Sequence, residues 1–282
     1  MLWQSGAPGA AERKRMDEWQ GKVAFVTGGA SGIGFAMARC FARRGAKIAL
    51  VDVEAEALEK AQAELLATGA DVIGISCDVS DRASVVSASE RAHEAFGRVH
   101  ILCNNAGVAP SGELDATTPE DWQWCLGVNL MGVVHGIQVL VPKIKQHGEG
   151  GHVVNTASIA GLVALPTLGI YTASKYAVVG ISETLRVELA PHGIGVSVLC
   201  PSFVKTRLAE SRRNRPASFG PAPDAPDAFM TRMLSTATDT EVIGERVVRG
   251  IERRDFYILP HPDVKMGLQL RANEILAACD LE

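Results

Sequence analysis

A tyrosine and a lysine stand four positions apart in IYTASKYAVVG, residues 170–180, a stretch that is otherwise small or apolar. On a helix, positions i and i+4 are neighbours, so Tyr171 and Lys175 reach the same region. A free phenol has a pKa of about 10, too high for a base at neutral pH. An ammonium within about 4–6 Å favours the phenolate, and weak screening in a buried setting strengthens that coupling. A base works best when its pKa lies near the working pH. The pair is costly as structure and useful as a tuned acid–base group. The plainer alternative is a tyrosine hydroxyl satisfied by a core partner.

A second constellation lies near the N-terminus. An apolar run, Lys22–Thr27, leads into TGGASGIG, Thr27–Gly34. Gly28, Gly32 and Gly34, with Ser31 and Ile33 on the same turn, fall where a strand passes into a helix. A side chain on those glycines would block a pyrophosphate from the backbone amides and the helix N-terminus. The spacing is Gly-x-x-x-Gly-x-Gly, not the generic dinucleotide fingerprint, and a glycine-rich turn without a ligand is the alternative. The next apolar run ends at Asp52, beside Val53, about 20 residues on. An acid there is placed to accept from the two hydroxyls of an adenosine ribose and to repel a 2′-phosphate. No arginine stands beside it in the sequence. That favours NAD over NADP; a helix-capping aspartate is the alternative.

These groups need a scaffold. Apolar runs alternate with helix-period segments. Lys22–Thr27, Lys47–Val51, Val72–Ser76, Val99–Cys103, Val153–Ala157, Gly195–Cys200 and Phe256–Leu259 read as strands. Gly32–Arg44, Glu54–Thr68, a helix capped by Ser80 and running to about Phe96, one opened by Thr118-Pro119-Glu120-Asp121 and running to about Gln146, and Tyr171–Ala190 read as helices. Strands alternating with helices at this spacing predict an α/β fold: a Rossmann-like, doubly wound parallel sheet of about seven strands with helices on both faces. A single domain is expected over residues 19–282, after a flexible arm over 1–18. Arg212–Asp227, with four prolines, breaks the pattern and reads as part of a substrate lid around 205–238.

Composition narrows the partners. The 282 residues are 47% hydrophobic with a net charge of −4, which offers no basic surplus for nucleic acid or an anionic membrane. Six scattered cysteines, without a Cys-x-x-Cys pair, read as reduced and cytoplasmic, and the seven histidines lack metal-ligand spacing, so no metal is expected. Residues 1–16 do not read as a secretory signal. Trp122–Pro142 and Val153–Ser174 carry no Asp, Glu, Lys or Arg. Interrupting Gly, Asn, Ser, Pro and His residues make them buried elements rather than membrane spans.

TGGASGIG, Asp52, CDVS (77–80), NNAG (104–107), GVN (127–129), TAS (156–158), YTASK (171–175) and PSFVKT (201–206) fall in an order that resembles the short-chain dehydrogenase/reductase family over residues 20–260. The resemblance implies a nicotinamide cofactor and hydride exchange with a carbonyl or alcohol carbon. It implies Tyr171 as proton donor and acceptor, and Lys175 as the residue that holds the nicotinamide ribose and lowers the tyrosine's pKa. It implies Ser158 as the hydroxyl orienting the substrate oxygen, and Asn129 as the holder of a water linking Lys175 to solvent. Asp78 and Val79 match the adenine contacts, Asn105, Ala106 and Gly107 the wall under the adenosine ribose, and Val204 and Thr206 the carboxamide contacts. Ser202 departs from the glycine usual after the proline of PSFVKT.

GIGVSVLCPSFVKTRLAESRRNRP (193–216) and FYILPHPDV (256–264) are similar to bacterial dehydrogenases of the benzylic alcohol of lignin-derived aryl ethers. Related steroid and cyclic-alcohol dehydrogenases resemble much of the same body. The apolar stretch Ile159–Leu168, with Phe203 and the loop after Thr206, suits a bulky, mostly apolar secondary alcohol or ketone, although core or interface packing would also account for several of these residues. Helices apolar nearly all round need a partner. The family pairs the 122–142 and 171–189 helices across a two-fold axis, which implies a homo-oligomer, a tetramer before a dimer. Three rivals remain: an NAD-sensing module without turnover, an NADPH-dependent carbonyl reductase, and a nucleotide-sugar epimerase using the same Tyr and Lys.

Overall fold

The computed structural model describes residues 19–220 and 237–279. The proposed N-terminal arm and the middle of the proposed lid lie outside them. Seven parallel strands form one sheet: β1 (Val23–Thr27), β2 (Lys47–Asp52), β3 (Val72–Ser76), β4 (Ile101–Asn104), β5 (Gly151–Thr156), β6 (Ile194–Leu199) and β7 (Tyr257–Ile258). Their order is β3-β2-β1-β4-β5-β6-β7, with Val26 of β1 beside Leu50 of β2 on one side and Cys103 of β4 on the other.

Every residue of β1 and β5 is buried, as expected of parallel strands covered on both faces. Period-two alternation divides them between two apolar layers. Val23 and Phe25 pack with Val85, Leu140 and Val178. Ala24 and Val26 pack with Met37, Leu58 and Val247. The covering helices are α1 (Gly32–Ala42), α2 (Ala55–Ala67), α3 (Arg82–Phe96), α4 (Pro119–Leu126), α5 (Gly132–His147), α6 (Gly169–Leu189) and α7 (Thr240–Arg253). α8 (Lys265–Ala277) was not anticipated. None of its residues is buried, so it has no one-sided apolar pattern to betray it.

Connections run outward from β1 in one direction and from β4 in the other, so a crevice opens outside the carboxyl ends of these strands. Gly28, Asp52, Asp78, Asn105, Ser158 and Val204 all follow or end strands on that edge.

Two local expectations are corrected. The α3 cap is Asp81, whose carboxylate accepts from the amides of Ala83 and Ser84; Ser80 instead bonds the Asp78 carboxylate through its amide and hydroxyl. A carboxylate with two oxygens can take both amides at once. The helix begun by the Thr118–Asp121 capping box is also not continuous. A π turn, Gly127–Met131, separates α4 from α5. A segment apolar all round has no phase for an extra residue per turn to disturb, so the pattern could not reveal it. Pro119–His147 is long and apolar enough to cross a membrane, yet 56% of its most apolar window is buried inside the protein. The second uncharged stretch is not one helix but β5, a 3-10 turn and the start of α6.

Asp81→Ala should destabilise the protein by about 1 kcal/mol in urea unfolding, whereas Ser80→Ala should change stability by less than about 0.5 kcal/mol.

Candidate active site

The β1–α1 turn is built around close approach. Gly28 has φ +63°, and a Cβ there would lie 2.9 Å from Ala106 Cα; a Cβ on Gly34 would lie 2.1 Å from the Gly28 carbonyl oxygen. The turn thus packs against the β4 loop with no room for side chains. Ser31 stands at the α1 N-cap without a side-chain capping bond, and the first turn carries no acid. The first-turn amides and the positive end of the α1 dipole therefore meet no acid from their own helix.

The crevice holds about 250 Å³. Every cofactor residue expected from the sequence lines it except Gly34, which supports the turn from behind; Ser158 lines it too. Asn129 does not. Asn129 is 0% exposed, and its amide group bonds the Val108 amide and carbonyl and the Ser174 hydroxyl. It fixes the loop after β4 from within.

Asp52 does not cap α2, because Glu54 occupies the N-cap position. Its carboxylate accepts from the amides of Ala30 at 3.0 Å and Glu54 at 3.1 Å. Burial raises its pKa, and these amides pull partly the other way. No arginine neighbours Asp52 in the sequence, but arginines distant along the chain reach the adjoining Glu54. Arg213 reaches Glu54 at 2.5 Å, Arg207 at 3.4 Å and Asn214 at 2.9 Å. These groups lie up to 160 residues away in sequence, beyond the reach of a local reading. Together they hold the Glu54 carboxyl below its ordinary range, Arg213 above all.

Tyr171 and Lys175 are brought together as the spacing requires. They are 7% and 3% exposed, and the ammonium sits 5.5 Å from the phenol ring centroid. Lys175 Nζ donates to the Thr156 carbonyl at 2.9 Å. Ser158 follows β5, accepts from the Ala160 amide at 3.1 Å and donates to the Pro201 carbonyl at 3.4 Å. A Cβ on Gly107 would lie 3.6 Å from Lys175 Nζ.

The expectation that Lys175 lowers the Tyr171 pKa is not met by the protein's own groups. Burial dominates and pushes the phenol up to about 12, with Ser158 pulling it partly down. Burial likewise pushes Lys175 down to about 8. A dry pocket penalises both charged forms, and this outweighs one ammonium's pull.

Of the expected substrate wall, Ile159, Leu165, Leu168, Phe203 and Leu208 line the crevice. Leu162 packs against the core instead. Pro216 lines it from within the expected lid; Trp124 and Val128 also line it and carry no mark in the sequence. Thr27, whose hydroxyl accepts from the Asn105 and Ala106 amides, was legible only as the start of the glycine motif. Among the described residues, Cys40, Glu241 and Glu245 are close enough to hold a metal ion. Arg39, Arg43 and Arg44 engage both carboxylates, and burial pushes the thiol up to about 12, so the group reads as an ion-pair network joining α1 to α7.

Carbon-13 NMR of labelled tyrosine should show Tyr171 still protonated at pH 9 in the protein alone. Half-titration near pH 7 without cofactor would contradict the burial argument.

The family description "short chain dehydrogenase" matches residues 22–217. A C alpha-dehydrogenase of Sphingobium sp. (strain NBRC 103272 / SYK-6) is 38% identical over 93% of this chain and 87% of its own. A short chain dehydrogenase/reductase from Burkholderia phymatum, solved in complex with NAD, superposes with a TM-score of 0.90 at 40% identity over 93% of this chain and 97% of its own. LigD of Sphingobium sp. strain SYK-6, in its apo form, superposes at 0.80 with 34% identity, covering 94% and 99%. A nucleotide-type glycine turn, a buried Tyr–Lys pair and a serine on one sheet edge thus coincide with likeness along nearly the whole chain: the protein belongs to the short-chain dehydrogenase family of oxidoreductases.

Proposed function

We propose that the protein is an NAD-dependent dehydrogenase interconverting a bulky, mostly apolar secondary alcohol and its ketone. The observation that carries this is the buried Tyr171–Lys175 pair with Ser158, beside a glycine turn with no space for side chains. The residues fit a dinucleotide: a Cβ would fill the cradle at Gly28 and Gly34, and the first turn of α1 carries no acid of its own to oppose a phosphate. Gly28, Ser31, Gly32 and Ile33 would hold the pyrophosphate, Asp52 and Val53 the adenosine ribose, Asp78 and Val79 the adenine, Asn105 to Gly107 the wall beneath it, and Val204 and Thr206 the carboxamide. The cofactor supplies the hydride acceptor and, when oxidised, a positive ring.

The chain's own residues handle the proton. Ser158 orients the substrate oxygen, and Tyr171 takes the hydroxyl proton in oxidation and returns it in reduction. Lys175, held by the Thr156 carbonyl, keeps a cation beside the phenol so that the phenolate is favoured once a second positive charge is near. Asn129 supports this region through Val108 and Ser174. Apolar walls at Trp124, Ile159, Leu168 and Phe203 favour an aryl-ether, steroid or cyclic alcohol, and the C alpha-dehydrogenase relative favours the first. The 3-10 turns Arg207–Asn214 and Ala217–Phe219 belong to the lid placed at 205–238, in a single catalytic domain.

One observation favours a second reading, an NADPH-dependent carbonyl reductase: Arg207 and Arg213 line the crevice along with Asp52. Glu54 engages both, and the Asp52 carboxylate would repel a 2′-phosphate, so NAD is the better choice. Exposed Met131 and Val187 on the α4–α6 region support a homo-oligomer, a tetramer first. The free cysteines, five of six buried, support a reducing cytoplasmic setting.

Tyr171→Phe should lower kcat about a thousandfold while NADH fluorescence titration shows binding within about twofold of the parent; near-normal turnover would remove Tyr171 from the mechanism. Light scattering at micromolar concentration should give an oligomer, and a monomer would refute the assembly reading.

A further inference from the structure

We propose that His261 is a positioning residue for the wall of the cofactor crevice: its neutral imidazole anchors the loop after β6 through the Ser202 amide and so sets cofactor affinity. This rests on the crevice being a nicotinamide-cofactor site.

The loop from Pro201 to Thr206 contributes Ser202, Phe203, Val204 and Thr206 to the crevice. Beyond β6 it has left the sheet, and its position needs other ties. Backbone bonds supply two: Thr238 donates to the Phe203 carbonyl at 3.1 Å, and Lys205 donates to the Thr238 carbonyl at 3.0 Å. His261 joins both strands of this small bridge. Its Nδ1 accepts from the Ser202 amide at 3.1 Å, and its Nε2 lies 2.9 Å from the Thr238 hydroxyl. An Nδ1 that accepts from an amide carries no proton, so Nε2 carries it and donates to Thr238. The geometry therefore requires the neutral form and one tautomer. The base is rigid, because His261 follows β7, which pairs with β6 at Tyr257 and Ile258. Ser202, where the resemblance leads one to expect glycine, has its amide committed to this bond.

Protonation would place an N–H against the Ser202 N–H and break the tie. Burial lowers the His261 pKa below its ordinary 6.5, and Asp263 acts in the opposite direction. A depressed pKa means the bond is fully present above about pH 6.5 and is lost as pH falls through the lower folded value.

The test is NADH affinity, by fluorescence titration from pH 8 to 5, for the parent, His261→Asn and His261→Gln. Asparagine can offer Oδ1 where Nδ1 stood and does not titrate. Glutamine reaches towards Thr238 and abandons Ser202. His261→Asn should bind within about twofold of the parent at pH 7 and lose less affinity on acidification. His261→Gln should bind about tenfold more weakly at pH 7, the effect of one lost hydrogen bond, with kcat at saturating cofactor changed less than about twofold. Asp52 titrates alike in all three, so the difference between proteins is the readout. Should His261→Gln fail to fold, Thr238→Val removes the Nε2 partner and should weaken NADH binding in the same direction. Equal affinities and identical pH courses across the series would overturn the positioning role alone. Failure of the parent to bind either NADH or NADPH would overturn the crevice assignment and this proposal with it.

Discussion

A lysine ammonium is buried in this protein with a backbone carbonyl, not a carboxylate, as its hydrogen-bond partner. Lys175 is 3% exposed and donates to Thr156, while burial pulls its pKa down to about 8. An acid beside it would stabilise the charge and neutralise its field. Without one, the field stays available to the neighbouring phenol, in a medium that screens it weakly. The placement makes demands on the fold. β5 must end so that the Thr156 carbonyl faces α6, Gly107 must leave space near Nζ, and Gly161 must let the turn after Ser158 reach α6, where a Cβ would come 2.6 Å from the Lys175 carbonyl oxygen.

The same edge of the sheet is cross-braced by neutral hydrogen bonds. The Thr27 hydroxyl receives the Asn105 and Ala106 amides, Asn105 donates to the Thr27 carbonyl, and Thr156 donates to Asn105 Oδ1. Three strand ends are thereby tied at the point where the connections diverge. Asn129 performs the corresponding task inside the π turn. Buried polar groups satisfied in this way rigidify a site because each lost partner leaves an expensive unpaired one. The result is a frame that holds Ser158, Tyr171 and Lys175 without using any of the three as its main support.

Much of this was legible because it is periodic or local. Continuous apolar runs gave the seven strands, with shifts of one or two residues at most ends. The i, i+4 spacing gave the Tyr171–Lys175 pair, and the strand–glycine–helix order gave the cradle. What stayed hidden depends on contacts between distant segments or on phase. Glu54 with Arg213, and Ser202 with His261, are separated by 159 and 59 residues, and nothing at either end marks its partner. The π turn is silent in an all-apolar helix. Asp81 and Ser80 are adjacent capping types, so composition could not choose between them. For Tyr171 the sequence shows the neighbouring charge and a buried setting, but not how strongly burial by itself raises the phenol's pKa.

The central claim is that this edge of the sheet is a dehydrogenase site acting on a secondary alcohol with NAD. The direct measurement is NADH formation, followed by absorbance, with NAD and a panel of arylpropane ethers, steroid alcohols and cyclic alcohols, with NADP run in parallel. The account predicts turnover on at least one of these classes, with NAD favoured over NADP. Silence across the panel from a protein that still binds NADH would contradict it and favour a nucleotide-sensing module.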